Sequence, residues 1–145
     1  MNKVTVEHYA GWFGTTEAEL TIDDKGLGVI DEEAELVFTR GQCHSLAVAI
    51  HEETGWPIYG LYTKFDSGDN SPSHCLVYSP TLNNFIDIKG PDAINRLNVF
   101  EPYKTATRKE VTVEDVNNFS GYLPLNVTAA RPFAKTILQE LNIKC

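Results

Sequence analysis

The run Thr39-Arg40-Gly41-Gln42-Cys43-His44-Ser45-Leu46-Ala47-Val48-Ala49-Ile50 sets a glycine break directly ahead of a cysteine and an apolar series. Leu46, Ala47 and Ile50 follow Cys43 at the three, four and seven positions that mark one face of a helix. A helix is therefore predicted from Cys43 to Glu53, stopped by Thr54-Gly55 with Pro57 just beyond. Cys43 then lies on the first turn and points inward. Unpaired amides and the positive dipole end at a helix start favour thiolate over thiol, so this position suits a nucleophile. The fold expected from this centre is α+β, with the cysteine-bearing helix packed on an antiparallel β-sheet.

A nucleophilic sulfur needs a base. Ser73-His74-Cys75-Leu76-Val77-Tyr78 reads as a strand, and Asn84-Phe85-Ile86-Asp87-Ile88-Lys89-Gly90 as its hairpin partner. If Tyr78 pairs with Asn83 across Ser79-Pro80-Thr81-Leu82, then Leu76 faces Phe85 and His74 faces Asp87. Directly opposed side chains lie within reach of a hydrogen bond. An aspartate framed by Phe85, Ile86 and Ile88 is also costly to bury without a partner. The competing reading makes Cys43 an inert core residue, His74 a satisfied strand-start histidine and Asp87 a turn former.

The 145 residues are the length of one ordinary domain, read here as 1–145, and 42% hydrophobic with 22% charged residues places them in the soluble globular class. A net charge of -8 argues against nucleic acid or an anionic membrane surface as partner. Lys104, Arg108 and Lys109 lie close together and read as a solvated loop. No apolar run reaches the roughly 20 residues of a membrane span, and Met1 to His8 lacks the apolar core of a secretory signal. Three cysteines at 43, 75 and 145 make no disulfide framework, so a reducing, cytoplasmic setting is expected, with Cys145 exposed and Cys75 in the core.

Elsewhere, Val4 and Val6 alternate ahead of an aromatic cluster of Tyr9, Trp12 and Phe13, as in a short strand or arm. Thr15 to Ile30 carries conflicting helix and hairpin signals. Asp31 to Phe38 has an acidic first turn suited to a short helix. Ile58 to Phe65 reads as a strand, and Asp66 to Pro72 as a polar loop bordering a cleft. Pro91 to Leu97 can form a short helix, Arg108 to Thr112 a strand and Val113 to Phe119 a helical turn. Phe133, Ile137, Leu138 and Leu141 share one face of a closing helix over Thr128 to Leu141.

A cysteine at a helix start followed by histidine and aspartate on successive strands resembles the papain-like cysteine superfamily, and within it the transglutaminase and arylamine N-acetyltransferase branch. Arg40-Gly41-Gln42-Cys43 and Asp87-Ile88-Lys89-Gly90 carry the resemblance, which spans residues 39 to 90. A second likeness, through Gly41 to Ala47 and Gly55-Trp56-Pro57, is to small bacterial and phage proteins. The resemblance implies a papain-like or transglutaminase-like core with Cys43, His74 and Asp87 as catalytic triad. The chain is short for a complete acetyltransferase, so coenzyme A binding does not carry over and no cofactor is expected. The papain-type glutamine several residues before the cysteine is missing. Adjacent Gln42 and the Cys43 amide stand as alternative oxyanion donors.

Cys43, His44, His74 and Cys75 lack the paired spacing of a zinc site, and strand neighbours point to opposite faces, so no metal is expected. His51 with Glu52 and Glu53 reads as a solvated helix end. Two functions follow. In the first, Cys43 attacks an amide or ester of a protein, peptide or small acyl substrate, His74 acts as base and then acid, and Asp87 orients it. Peptide or isopeptide hydrolysis, deamidation or transglutaminase-like transfer would result. In the second, the same scaffold is a non-catalytic binding module, a small acidic inhibitor or adaptor.

Overall fold

The computed structural model describes residues 2–10, 14–63, 71–119 and 122–142. Trp12, Phe13, Lys64, Phe65, residues 66–70 of the polar loop, and Cys145 lie outside the described residues. The architecture is α+β with antiparallel sheets. Strands β1 (Asn2–Tyr9) and β2 (Thr15–Ile22) form a two-stranded hairpin, and β3 (Ile58–Tyr62), β4 (His74–Ser79), β5 (Asn84–Ile86) and β6 (Thr107–Val111) form a second sheet in the order β5-β4-β3-β6. No helix among the described residues is long and apolar enough to cross a membrane.

Helix α1 (Glu32–Val37) starts at Asp31, whose carboxylate accepts from the Ala34 amide at 3.0 Å. This is the N-cap its acidic first turn required. Helix α2 (Cys43–Thr54) follows after Gly41, which holds φ at +105° with the Tyr9 ring and Leu123 packed over it. A side chain there meets both an unfavourable backbone and occupied space. Gly55, in the left-handed region, closes the helix by donating to the His51 carbonyl at 2.7 Å.

Every residue of α2 from Cys43 to Ile50 is buried, not merely the Leu46, Ala47 and Ile50 face. The helix lies between β4 on one side and α6 (Val127–Glu140) on the other, so it has no wet face over these turns. Phe133, Ile137 and Leu138 of α6 are fully buried in the same core, each contributing about 1.5 to 3 kcal/mol by leaving water. Phe133 also fills the space above Gly28: a Cβ at Gly28 would fall on its ring. Gly28→Ala is accordingly expected to cost about 2 kcal/mol by overpacking, measurable as a lower urea midpoint at unchanged slope.

The conflict over Thr15 to Ile30 resolves as a strand and a turn. Asp23 makes that turn, its Oδ1 accepting from the amides of Lys25 and Leu27. Leu20 and Ala18 of β2 and Val6 of β1 turn to the core.

The β4–β5 hairpin departs from the expected register. Ser79 pairs with Asn84, Tyr78 with Phe85 and Val77 with Ile86, so Asn83 is in the loop and not opposite Tyr78. Asn83 supplies a left-handed residue, φ +50°, at the end of the turn, and Ser79 Oγ accepts from the Leu82 amide. The pairing is thus two positions away from that predicted. An even shift keeps side chains on their face, so His74 and Asp87 remain on one side, diagonal instead of opposed. Asp87 also leaves the strand: it opens a tight turn that closes on Gly90 through two backbone hydrogen bonds.

Three short helices complete the chain, α3 (Ala93–Leu97), α4 (Glu101–Lys104) and α5 (Val113–Asn117). The sequence reading missed α4, although Pro102 in its first turn is a start signal. Helix α5 carries a reciprocal capping box between Thr112 and Asp115. Lys104, Arg108 and Lys109 are not one loop: Lys104 ends α4, while Arg108 and Lys109 are on β6, set over the rings of Phe85 and Tyr62.

Candidate active site

Cys43 occupies the first turn of α2, His74 opens β4 and Asp87 follows β5, and all three are buried at 4–5% exposure. Between imidazole and carboxylate the distance is 3.2 Å, from His74 Nε2 to Asp87 Oδ2. The other carboxylate oxygen, Oδ1, accepts from the Lys89 amide at 2.9 Å and from Arg96 at 3.0 Å. Arg96 is itself fixed by the carbonyls of Gly90 and Pro91. The aspartate therefore has partners on both oxygens, as a buried charge requires.

The sulfur lies on the amide of Cys75, next to His74 in β4, and each group shifts the other's acidity. Hydrogen bonding to the Cys75 thiol pulls the Cys43 pKa down, burial opposes it, and the hydrogen bond and positive charge of His74 carry it well below the usual thiol value. Burial disfavours a charged His74, but Asp87 and Cys43 outweigh it by hydrogen bonds and charge, and the imidazole is pushed up to about 10. Asp87 is held below the ordinary carboxylate range: burial raises it, and His74 and Arg96 overcome that. These directions all favour a thiolate beside an imidazolium, backed by a carboxylate. Nε2 is committed to Asp87, which leaves Nδ1 as the nitrogen for sulfur.

Around the sulfur sit groups that the sequence reading left without a role. The Cys75 amide donates to Cys43 Sγ at 3.4 Å, and the Cys75 thiol, pushed up by burial and by the neighbouring thiolate, keeps its proton. Tyr122 donates its hydroxyl proton to the Pro72 carbonyl at 2.7 Å, with its oxygen 3.7 Å from Cys75 Sγ and 3.8 Å from Cys43 Sγ. His44 Nε2 lies 2.6 Å from the Leu123 carbonyl and its ring stands edge-on to Tyr122. Burial lowers the His44 pKa, so this second histidine stays neutral. Cys75 is in the core as expected, with its amide on the Cys43 sulfur. Arg96 and Tyr122 lacked any sequence signal, since neither has a fixed spacing from Cys43, His74 or Asp87.

Gln42 is placed otherwise than an oxyanion donor requires. Its side chain is 3% exposed, with Nε2 donating to the Glu7 carbonyl at 3.0 Å and Oε1 accepting from Ser45 Oγ at 2.5 Å. A buried amide must satisfy both ends, and these partners turn it toward the β1–β2 hairpin. Of the two donors considered, the Cys43 amide is the one left at the helix start without an intrahelical acceptor. His51 is likewise tied down, with Nδ1 2.7 Å from the Trp56 carbonyl.

Two hollows flank the triad. One, of about 280 Å³, opens on Cys43 between Tyr9, Arg40, Gly41, Ser73 and Tyr122. A larger one, of about 830 Å³, runs past His74 and Asp87, and Thr39 and Arg40 form the rim common to both. Among the described residues, no three His, Cys, Asp or Glu side chains converge as a metal set. No family model matches the chain, and neither a curated protein nor a solved structure is significantly similar to it.

Proposed function

We propose that this chain is a cysteine-dependent acyl-transfer enzyme with a papain-like or transglutaminase-like core, in which Cys43, His74 and Asp87 act as a triad. The observation that carries this reading is the buried pair of His74 and a carboxylate tied to Arg96 and the Lys89 amide, with the Cys43 sulfur held at 3.4 Å by the amide of Cys75, the residue next to His74. A merely structural cysteine has no need of an imidazolium held charged beside it.

The thiolate attacks the acyl carbon, and the oxygen that becomes negative is met by the Cys43 amide and the positive end of α2. Because His74 is already protonated, its first task is to give a proton to the departing amine or alkoxide, leaving a thioester on Cys43. Neutral His74 then takes a proton from the acceptor. Water as acceptor gives hydrolysis or deamidation, and an amine gives transfer. Asp87 keeps the ring oriented and its charge compensated throughout.

Incubation with p-nitrophenyl acetate, a small activated ester, tests the covalent step. Peptide mapping is expected to find an acetyl group on Cys43, and Cys43→Ser is expected to lose the rapid release of nitrophenolate. Acetylation confined to lysines would exclude the proposal. The binding-module reading draws on the exposed Val99 and Phe100 beside the larger hollow, and it requires a Cys43 no more reactive than a free thiol.

A further inference from the structure

The larger hollow has a charge opposite to that of the chain. Asp87 is its one acidic lining residue among those described, and Asp87 is already bound to His74 and Arg96. Arg40 and Lys89 stand on the same lining, exposed and without an ion pair among the described residues. A net charge of -8 makes two uncompensated cations in one hollow a local exception. Leu97, Val99, Phe100 and Tyr103 supply an apolar wall, and Val99 and Phe100 are 72% and 58% exposed. Large apolar side chains held in water next to a cleft mark a contact surface.

We propose that this hollow binds an acidic peptide segment bearing a bulky aliphatic or aromatic side chain. The apolar side chain lies against Val99 and Phe100, and the flanking carboxylates meet Arg40 and Lys89. Arg40 also borders the smaller hollow over Cys43, so a segment seated here extends past it toward the sulfur. That the bound segment is a substrate rests on the reading of Cys43 as nucleophile. The binding itself does not. Long-range attraction by the two cations would also work against the overall negative field, which would otherwise repel such a ligand.

The test uses full-length Cys43→Ala, with Cys43→Ser as a second background, and fluorescein-labelled peptides read by anisotropy. One peptide carries a Leu-Phe centre flanked by Asp and Glu, a second has lysines for the acids, and a third has serines for Leu and Phe. The acidic apolar peptide is expected to bind at least about tenfold tighter than either of the others, less so at high salt. The double variant Arg40→Glu/Lys89→Glu should abolish the preference for acid, and Phe100→Ser the preference for Leu-Phe. Equal or tighter binding of the lysine peptide, or a preference that survives the double reversal, overturns the proposal. Alkylation of Cys43 in the unmutated chain is followed in parallel. A reactive Cys43 without peptide preference ends this proposal alone, whereas peptide preference with an unreactive Cys43 upholds the binding site and ends the enzymatic reading.

Discussion

At pH 6, iodoacetamide is expected to alkylate Cys43 roughly tenfold faster than free cysteine, and the advantage should vanish as the pH approaches 9. A thiol of ordinary pKa, about 8.5, is only ~0.3% thiolate at pH 6. Cys43, held well below that range by the Cys75 thiol and by His74, has a larger thiolate fraction there. Part of the gain is offset because a less basic thiolate is a weaker nucleophile, with a Brønsted slope of about 0.4 to 0.5. His74→Ala removes the imidazolium, so its low-pH advantage should shrink and its labelling curve should move toward that of free cysteine. Mass mapping after a brief pulse distinguishes Cys43 from Cys75 and Cys145. A flat ratio between pH 6 and 9, unchanged by His74→Ala, would remove the basis for an activated sulfur.

Asp87→Ala is expected to lower stability by about 3 kcal/mol, because it strands a buried imidazolium and releases Arg96 and the Lys89 amide together. The lower end of the range for a broken buried pair applies, since Arg96 is 32% exposed and can turn to water. Urea denaturation at pH 7 measures this. The pH dependence has two limbs. The Asp87 pKa is depressed on folding, so its contribution is present above the unfolded value near 3.9 and is lost as pH falls through the folded one. The His74 pKa is raised, so its contribution is complete below about 6.5 and is lost as pH rises toward about 10. Asp87→Ala should flatten both limbs. A stability loss below about 1 kcal/mol would mean that the carboxylate is not the charge that anchors this cluster.

The central helix was legible because its signals agree: a glycine needing positive φ, apolar residues at helical spacing and a left-handed glycine stop, each decided by local chemistry. His74 and Asp87 came together for a more forgiving reason. The register was two positions off, and a two-residue error preserves the face of every side chain. Asn83 defeated the finer reading because its fitness for a left-handed turn outweighed its place in the strand pattern. Gln42 and the Cys43 amide could not be separated as oxyanion donors in the sequence because proximity to Cys43 along the chain says nothing about a side chain's direction. Its destination, the Glu7 carbonyl, is 35 residues away in the sequence. Tyr122 was beyond reach for the same reason, 79 residues from Cys43, whereas Arg96, only nine residues after Asp87, meets it through the turn between them.

Gln42 shows what such remote ties accomplish. It joins the Glu7 carbonyl to Ser45 Oγ, which in turn accepts from the Asn126 amide at the start of α6 at 3.0 Å. The opening hairpin, the first turn of α2 and the last helix are thus fastened at one knot, at the residue that precedes Cys43 in the chain. Until all three segments arrive, that knot is untied and the first turn of α2 is held by its own local bonds alone.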